Sequence, residues 1–117
     1  YENVAKELLD SALKLISKSN TIKIIRVPGV FEIPVTISKN IKKYDGFLAL
    51  GCIIKGQTPH FDFISQASTS AMMELSIINK KPIGNGIITC LNMRQAKTRK
   101  KKGTEAAKAV ISVLSQK

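Results

Sequence analysis

The sequence predicts one α/β domain built on a parallel sheet, and three observations carry that prediction. Apolar runs of strand length alternate with stretches of helical period along the whole chain, in the order α-β-α-β-α-β-α-α. The run FLALGCII, residues 47–54, is apolar at every position, as a strand covered on both faces reads. Helical segments between the strands supply right-handed crossovers. The 117 residues, of which 44% are hydrophobic, suffice for one core without disulfide staples.

The elements follow in order. Residues 3–18 form an amphipathic helix with Val4, Leu8, Ala12 and Leu15–Ile16 on its apolar face. Thr21–Val27 is a short isoleucine-rich strand, stopped by Pro28 and Gly29. Pro34 opens a short helix to about Ile41. Phe47–Ile54 is the central strand. A long helix runs from Pro59 to about Asn79, with Ile64, Ala67, Ala71, Leu75 and Ile78 as its core stripe. Pro82 introduces the strand IGNGIITC, and Asn92 caps a short helix carrying Gln95 and Arg99. The last helix, about 104–116, packs through Ala107, Val110, Ile111 and Leu114.

Composition narrows the function. The net charge of +11 suggests an anionic partner: nucleic acid, a membrane surface or a phosphorylated small molecule. Charge alone does not choose among them. No apolar run reaches the length of a membrane span, and no signal peptide opens the chain. Cys52 and Cys90 lie in strand-like runs with no metal or redox spacing, and read as buried thiols of a reducing compartment, the cytoplasm. The chain opens at Tyr1 without a methionine, so a missing upstream strand is expected.

Ligands of such sheets bind beyond the carboxyl ends of the strands. After Ile54 come Lys55, Gly56, Gln57, Thr58, Pro59 and His60. Thr58 suits an N-cap and Pro59 a first helical position, so free amides and the helix dipole make an anion site around Gln57 and Thr58. His60, the sole histidine, falls in the first turn and can exchange a proton near neutral pH. It reads equally as a surface histidine beside a cap. The spacing Gly51-x4-Gly56-Gln57-Thr58 imitates a P-loop, but Gln57 replaces the lysine that the motif needs. In Val27–Pro34, Phe31 offers an aromatic face and Glu32 a carboxylate for a polar heterocycle bearing hydroxyls; they also read as a staple and a surface acid. Arg99 could grip a phosphate bidentately, or belong with Lys100–Lys102 to a solvated basic surface.

The segments VPGVFEIP (27–34), YDGFLALGCIIKGQTPHFDFIS (44–65), PIGNGIIT (82–89), RQAKTR (94–99) and KGTEAA (102–107) together resemble the lumazine synthase family of riboflavin biosynthesis. The resemblance covers essentially the whole chain, and IGNGI is similar to the alphaproteobacterial branch. It implies a flavodoxin-like α/β/α sandwich with a four-stranded parallel sheet, whose first strand would precede Tyr1. It implies condensation of 5-amino-6-(D-ribitylamino)uracil with 3,4-dihydroxy-2-butanone 4-phosphate, without metal or organic cofactor. By motif, His60 resembles the general acid/base. Gln57, Thr58 and Arg99 resemble the phosphate site, with Lys102 a further basic residue near the reacting centre. Val30, Phe31 and Glu32 match the segment holding the ribityl chain, and Cys52, Ile53 and Ile54 the strand end under the pyrimidine. Asn85 stands where many members place an aromatic residue from the neighbouring subunit. The segment from Arg99 to Lys102 is shorter than the family norm, and the pyrimidine-stacking aromatic would lie upstream of Tyr1.

The family further implies homopentamers with shared active sites, some paired into decamers and some built into sixty-subunit shells, and association with riboflavin synthase. It implies no nucleic-acid or membrane partner. Two rival readings stand beside it. A basic module could hold nucleic acid through Lys97–Lys102, although interleaved aromatics are missing there. A carrier could keep the fold and bind a flavin or lumazine without turnover.

Overall fold

A computed structural model describes residues 2–18, 20–56 and 60–116. Helix α1 spans Glu2–Leu13, followed by a 3-10 turn at Val30–Glu32 and helix α2 at Ile33–Asn40. Strand β1 (Phe47–Ile54) leads to helix α3 (Phe61–Asn79), and strand β2 (Ile83–Cys90) to α4 (Met93–Thr98) and α5 (Lys102–Leu114).

The two strands pair in parallel, with Phe47 opposite Ile83 and Ile54 opposite Cys90. Phe47 N–H donates to the Pro82 carbonyl at one end of this ladder and Lys55 N–H to the Cys90 carbonyl at the other. Side-chain alternation then divides the sheet into two faces. Leu50, Cys52, Ile54, Ile88 and Cys90 pack with Val4 and Leu8 of α1 and with Ala96 of α4. Phe47, Ala49, Ile83 and Ile87 pack with Ile33 and Ile37 of α2 and Met72 of α3. Burial from both sides accounts for the uninterrupted apolar run of β1.

Helix α5 covers β2 closely because β2 has glycines there. A Cβ on Gly84 would collide with the Ala106 carbonyl, and one on Gly86 would sit 2.5 Å from Leu50 Cδ2. Helices α1 and α5 are latched to each other. Thr104 N–H donates to Ser11 Oγ at 2.9 Å, and Thr104 Oγ1 donates to the Ser11 carbonyl at 3.1 Å.

Several expectations need correction. Two strands are present among the described residues, not the expected number, since Thr21–Val27 carries no ladder. A strand exists only through its partner; no described segment pairs with these residues, and Ile22, Ile24 and Ile25 stand about half exposed. Helix α1 stops at Leu13, where the chain tightens into a turn with Leu15 N–H donating to the Ala12 carbonyl. Helix α3 buries Ser68 and Met72, with Leu75 of the expected stripe packed against the same core, while Ile78 is 68% exposed. Its apolar residues run around most of its circumference, so periodicity could not select the inward stripe. Helix α5 starts earlier than expected and buries Gly103, Ala106, Ala107 and Val110; Ile111 and Leu114 are exposed, because the sheet accepts only its small-residue face. Cys90 is buried as expected, whereas Cys52 is only partly so.

Candidate active site at the carboxyl edge of the sheet

The carboxyl ends of β1 and β2 lie side by side, and the candidate residues come from three segments, one resting on β1 and one leaving each strand. The first is the turn Val30–Glu32. Its placement depends on Gly51: a Cβ there would approach Val30 Cγ2 to 3.0 Å and Ile33 Cδ1 to 3.8 Å. The turn therefore rests on β1 just before Cys52–Ile54. Phe31 is 58% exposed above it. Glu32 folds back beside Gly29, where a Cβ would lie 3.2 Å from Glu32 Oε1. Gly51 was not among the expected site residues, yet a glycine inside an apolar strand signals a close backbone approach.

The second segment leaves β1. Gly56 turns the chain with φ +87°, a backbone that an L side chain resists. The expected anion-site residues Gln57 and Thr58, with Pro59, lie outside the described residues. His60 is exposed and serves as the N-cap of α3. It therefore precedes the first turn in which it was expected. Its carbonyl accepts from Ile64 N–H at 2.8 Å, and Asp62 follows in the first turn.

The third segment leaves β2. Asn92 caps α4 as expected, its Oδ1 accepting from Gln95 N–H at 3.0 Å. Arg99 follows the last helical residue, and its Nη1 donates to the Thr89 carbonyl at 2.9 Å. Thr89 pairs with Ile53, so the guanidinium is tethered to the strand edge beside β1. One of its donors is used there and the others remain for a ligand. Sequence reasoning missed this tether because a backbone carbonyl has no sequence signature.

The remaining expected residues divide. Lys102 opens α5 and pairs with Glu105 along that helix at 3.5 Å. Cys52 and Ile54 point into the α1 face, so only their backbone edges are offered to a ligand; Ile53 points to the opposite face. Burial pushes the Cys52 thiol up to about 11, helped by the neighbouring Cys90 sulfur. The protonated thiol is therefore the favoured form near neutral pH. Asn85 is not at this edge. It pairs with Ala49 in the amino half of β2, exposed, with its Oδ1 accepting from Ile87 N–H at 3.0 Å. At about 3.3 Å per residue it sits some 16 Å from Cys90.

The chain thus presents a histidine at a helix start, an anchored arginine and a turn bearing an aromatic ring and a carboxylate. These suit proton transfer beside a bound anion. Comparison with known proteins gives the same direction. The family model described as 6,7-dimethyl-8-ribityllumazine synthase matches residues 1–117. A protein of that name from Bartonella bacilliformis is 39% identical over 127 residues, covering 100% of this chain and 84% of the relative. One from Agrobacterium fabrum is 38% identical over 130 residues, covering 100% of this chain and 88% of the relative. One from Renibacterium salmoninarum is 42% identical over 98 residues, covering 82% of this chain and 62% of the relative. The first two alignments run longer than the chain itself, so those relatives carry residues that this one lacks. With its whole length matched in this way, the chain belongs to the 6,7-dimethyl-8-ribityllumazine synthase family.

Proposed function

We propose that this chain condenses 5-amino-6-(D-ribitylamino)uracil with 3,4-dihydroxy-2-butanone 4-phosphate to 6,7-dimethyl-8-ribityllumazine, the penultimate step of riboflavin biosynthesis. The observation that carries the reading is the Arg99 guanidinium held on the Thr89 carbonyl near the end of β2; the Val30–Glu32 turn resting on β1 and His60 at the start of α3 support it. The free guanidinium donors of Arg99 hold the phosphate. Gln57 and Thr58, and less directly Lys102, add to the same anion site. Glu32 accepts hydrogen bonds from the ribityl hydroxyls beside Phe31, and the backbone of Cys52–Ile54 borders the pyrimidine. The uracil amine adds to the ketone and water leaves as the imine forms. His60 moves the protons that accompany this step, the elimination of phosphate and the closing of the ring, at which water is again lost. Both substrates are reactive already, so proximity and proton transfer suffice, and the reading needs no metal or organic cofactor.

The same reading extends to the assembly. The active unit is a homopentamer or a multiple of it, in which Asn85 reaches a neighbour's site. It is supported by exposed apolar side chains on one side of the molecule. Phe31, Pro34 and Val35 face Ala67 and Ala71 across a groove of about 440 Å³. Met73, Ile77 and Ile78 line another of about 480 Å³ along α3. The complete sheet is flavodoxin-like and four-stranded. The enzyme works in the cytoplasm, and riboflavin synthase consumes its product. No helix among the described residues is long and apolar enough to cross a membrane.

The test is direct. Supplying both substrates to the full-length protein should yield a yellow, fluorescent lumazine with release of phosphate. Tight lumazine binding without turnover would favour the carrier reading instead.

A further inference from the structure

Helix α4 has six residues, and of these only Ala96 is buried. So short a helix does not hold itself in place. Something else must fix the arginine at its end, and the hydrogen bonds identify it. Gln95 uses its amide, its side chain and its carbonyl at once. Its N–H donates to Asn92 Oδ1 at 3.0 Å. Its Oε1 reaches back beyond the cap and accepts from Leu91 N–H at 2.8 Å. Its carbonyl accepts from Thr98 Oγ1 at 2.8 Å. One turn further on, Arg99 closes a loop back to the Thr89 carbonyl.

We propose that Gln95 is a positioning residue for Arg99. The inference rests on the reading of Arg99 as the phosphate holder. The path from Thr89 to Arg99 passes through Leu91, Asn92 and Thr98, the three residues to which Gln95 is bonded. These bonds set the height and rotation of α4 over the end of β2. The Arg99 tether is made only at one such setting, because its guanidinium must reach a carbonyl that is fixed in the sheet. Without Oε1 at position 95, Leu91 N–H turns to water, since Leu91 is 61% exposed. The fold survives, while α4 can rotate and Arg99 leaves the position that presents its free donors.

The experiment is steady-state kinetics on the full-length assembled enzyme. In Gln95→Ala the KM for the phosphate-bearing substrate should rise about fivefold, the loss of one net hydrogen bond. The KM for the ribitylaminouracil and kcat should stay within about twofold. Asn92→Ala should shift the same KM, and Asn92→Ser, which keeps a capping oxygen, should recover most of the loss. Because Gln95 acts through Arg99, Gln95→Ala combined with Arg99→Ala should be no worse than Arg99→Ala alone. A readout free of turnover is the side-chain NMR signal of Arg99. Its Nη resonances should be separate in the parent and averaged in Gln95→Ala. If Arg99→Ala raises the phosphate-substrate KM but Gln95→Ala does not, or if the two losses multiply, the inference is overturned. If Arg99→Ala leaves that KM unchanged, the reading of the site fails and takes the inference with it.

Discussion

Gly103→Ala sets two effects of known size against each other. Alanine is the better helix former, by about 1 kcal/mol in a helix interior and less at the second position of α5, where residue 103 stands. Against this, a Cβ at 103 would collide with the carbonyl oxygen of Leu8 and lie 2.9 Å from its carbonyl carbon. The obstacle is main chain and has no rotamer to escape into. Leu8 is fully buried, so α1 cannot yield inward. The remaining response is for α5 to move outward by about an ångström, an overpacking that costs about 1–3 kcal/mol. That motion also stretches the bonds between Ser11 and Thr104, one residue away. Each is worth about 1 kcal/mol when well formed. The clash wins, for a net loss of about 2 kcal/mol. Urea unfolding at one fixed protein concentration should show a lower midpoint with an unchanged slope. The melting temperature should fall by roughly 8 °C. An equal or higher midpoint would refute the reasoning, since the α1–α5 contact would then be looser than described.

Four other outcomes are expected. Arg99→Ala should raise the KM for the phosphate substrate about 10- to 100-fold, as loss of a charged hydrogen-bond donor implies, and should weaken inhibition by inorganic phosphate in parallel. His60→Ala should lower kcat by about 10²- to 10³-fold with little change in either KM; a KM effect without a kcat effect would make His60 a binding group only. The raised Cys52 pKa favours the protonated thiol in the folded state, so its stabilising contribution is complete below the unfolded thiol pKa. Stability should therefore fall as pH rises from about 9 towards about 11, and less steeply in Cys52→Ala. Lys80 ends α3 in the left-handed region at φ 54°, so Lys80→Gly should gain about 0.5 kcal/mol in urea unfolding, the relieved strain exceeding the extra chain entropy of glycine.

Features that depend on neighbouring residues in sequence were the most legible. Both paired strands, 47–54 and 83–90, have the expected bounds: the first is an apolar run between Gly46 and Lys55, and the second lies between Pro82 and the helix cap at Asn92. The cap at Asn92 was legible because N-capping needs a particular side chain at one position. Features that depend on a distant partner were not. Thr21–Val27 has strand composition, but pairing belongs to two segments and not to one. The inward stripe of α3 depends on which side of an almost wholly apolar helix meets the sheet. At the site, the residue types of the expected arginine and histidine could be read directly. The Thr89 tether could not, and the distance of Asn85 from the edge required the register of β2 against β1.

That register bears on how many chains one site needs. Arg99 is held on Thr89 near the end of β2, while Asn85 lies opposite Ala49, far back along the same strand. A ring seated against Ile53–Ile54 cannot also touch Asn85 of the same chain, because the separation exceeds the reach of one side chain. The Asn85 amide oxygen is already occupied by the Ile87 N–H of its own strand, and the side chain is exposed. The exposed side chains of Phe31 and Val35 lie on the same side of the sheet as Asn85. On the proposed reading, a neighbour covering this side would bring its own strand edge towards Asn85. The amide could then donate to the neighbour's ligand without giving up its internal bond, since Ile87 uses only the oxygen. An aromatic residue at this position would stack on the ring but offer no donor. On that reading Asn85 would exchange stacking area for a hydrogen bond across the subunit boundary.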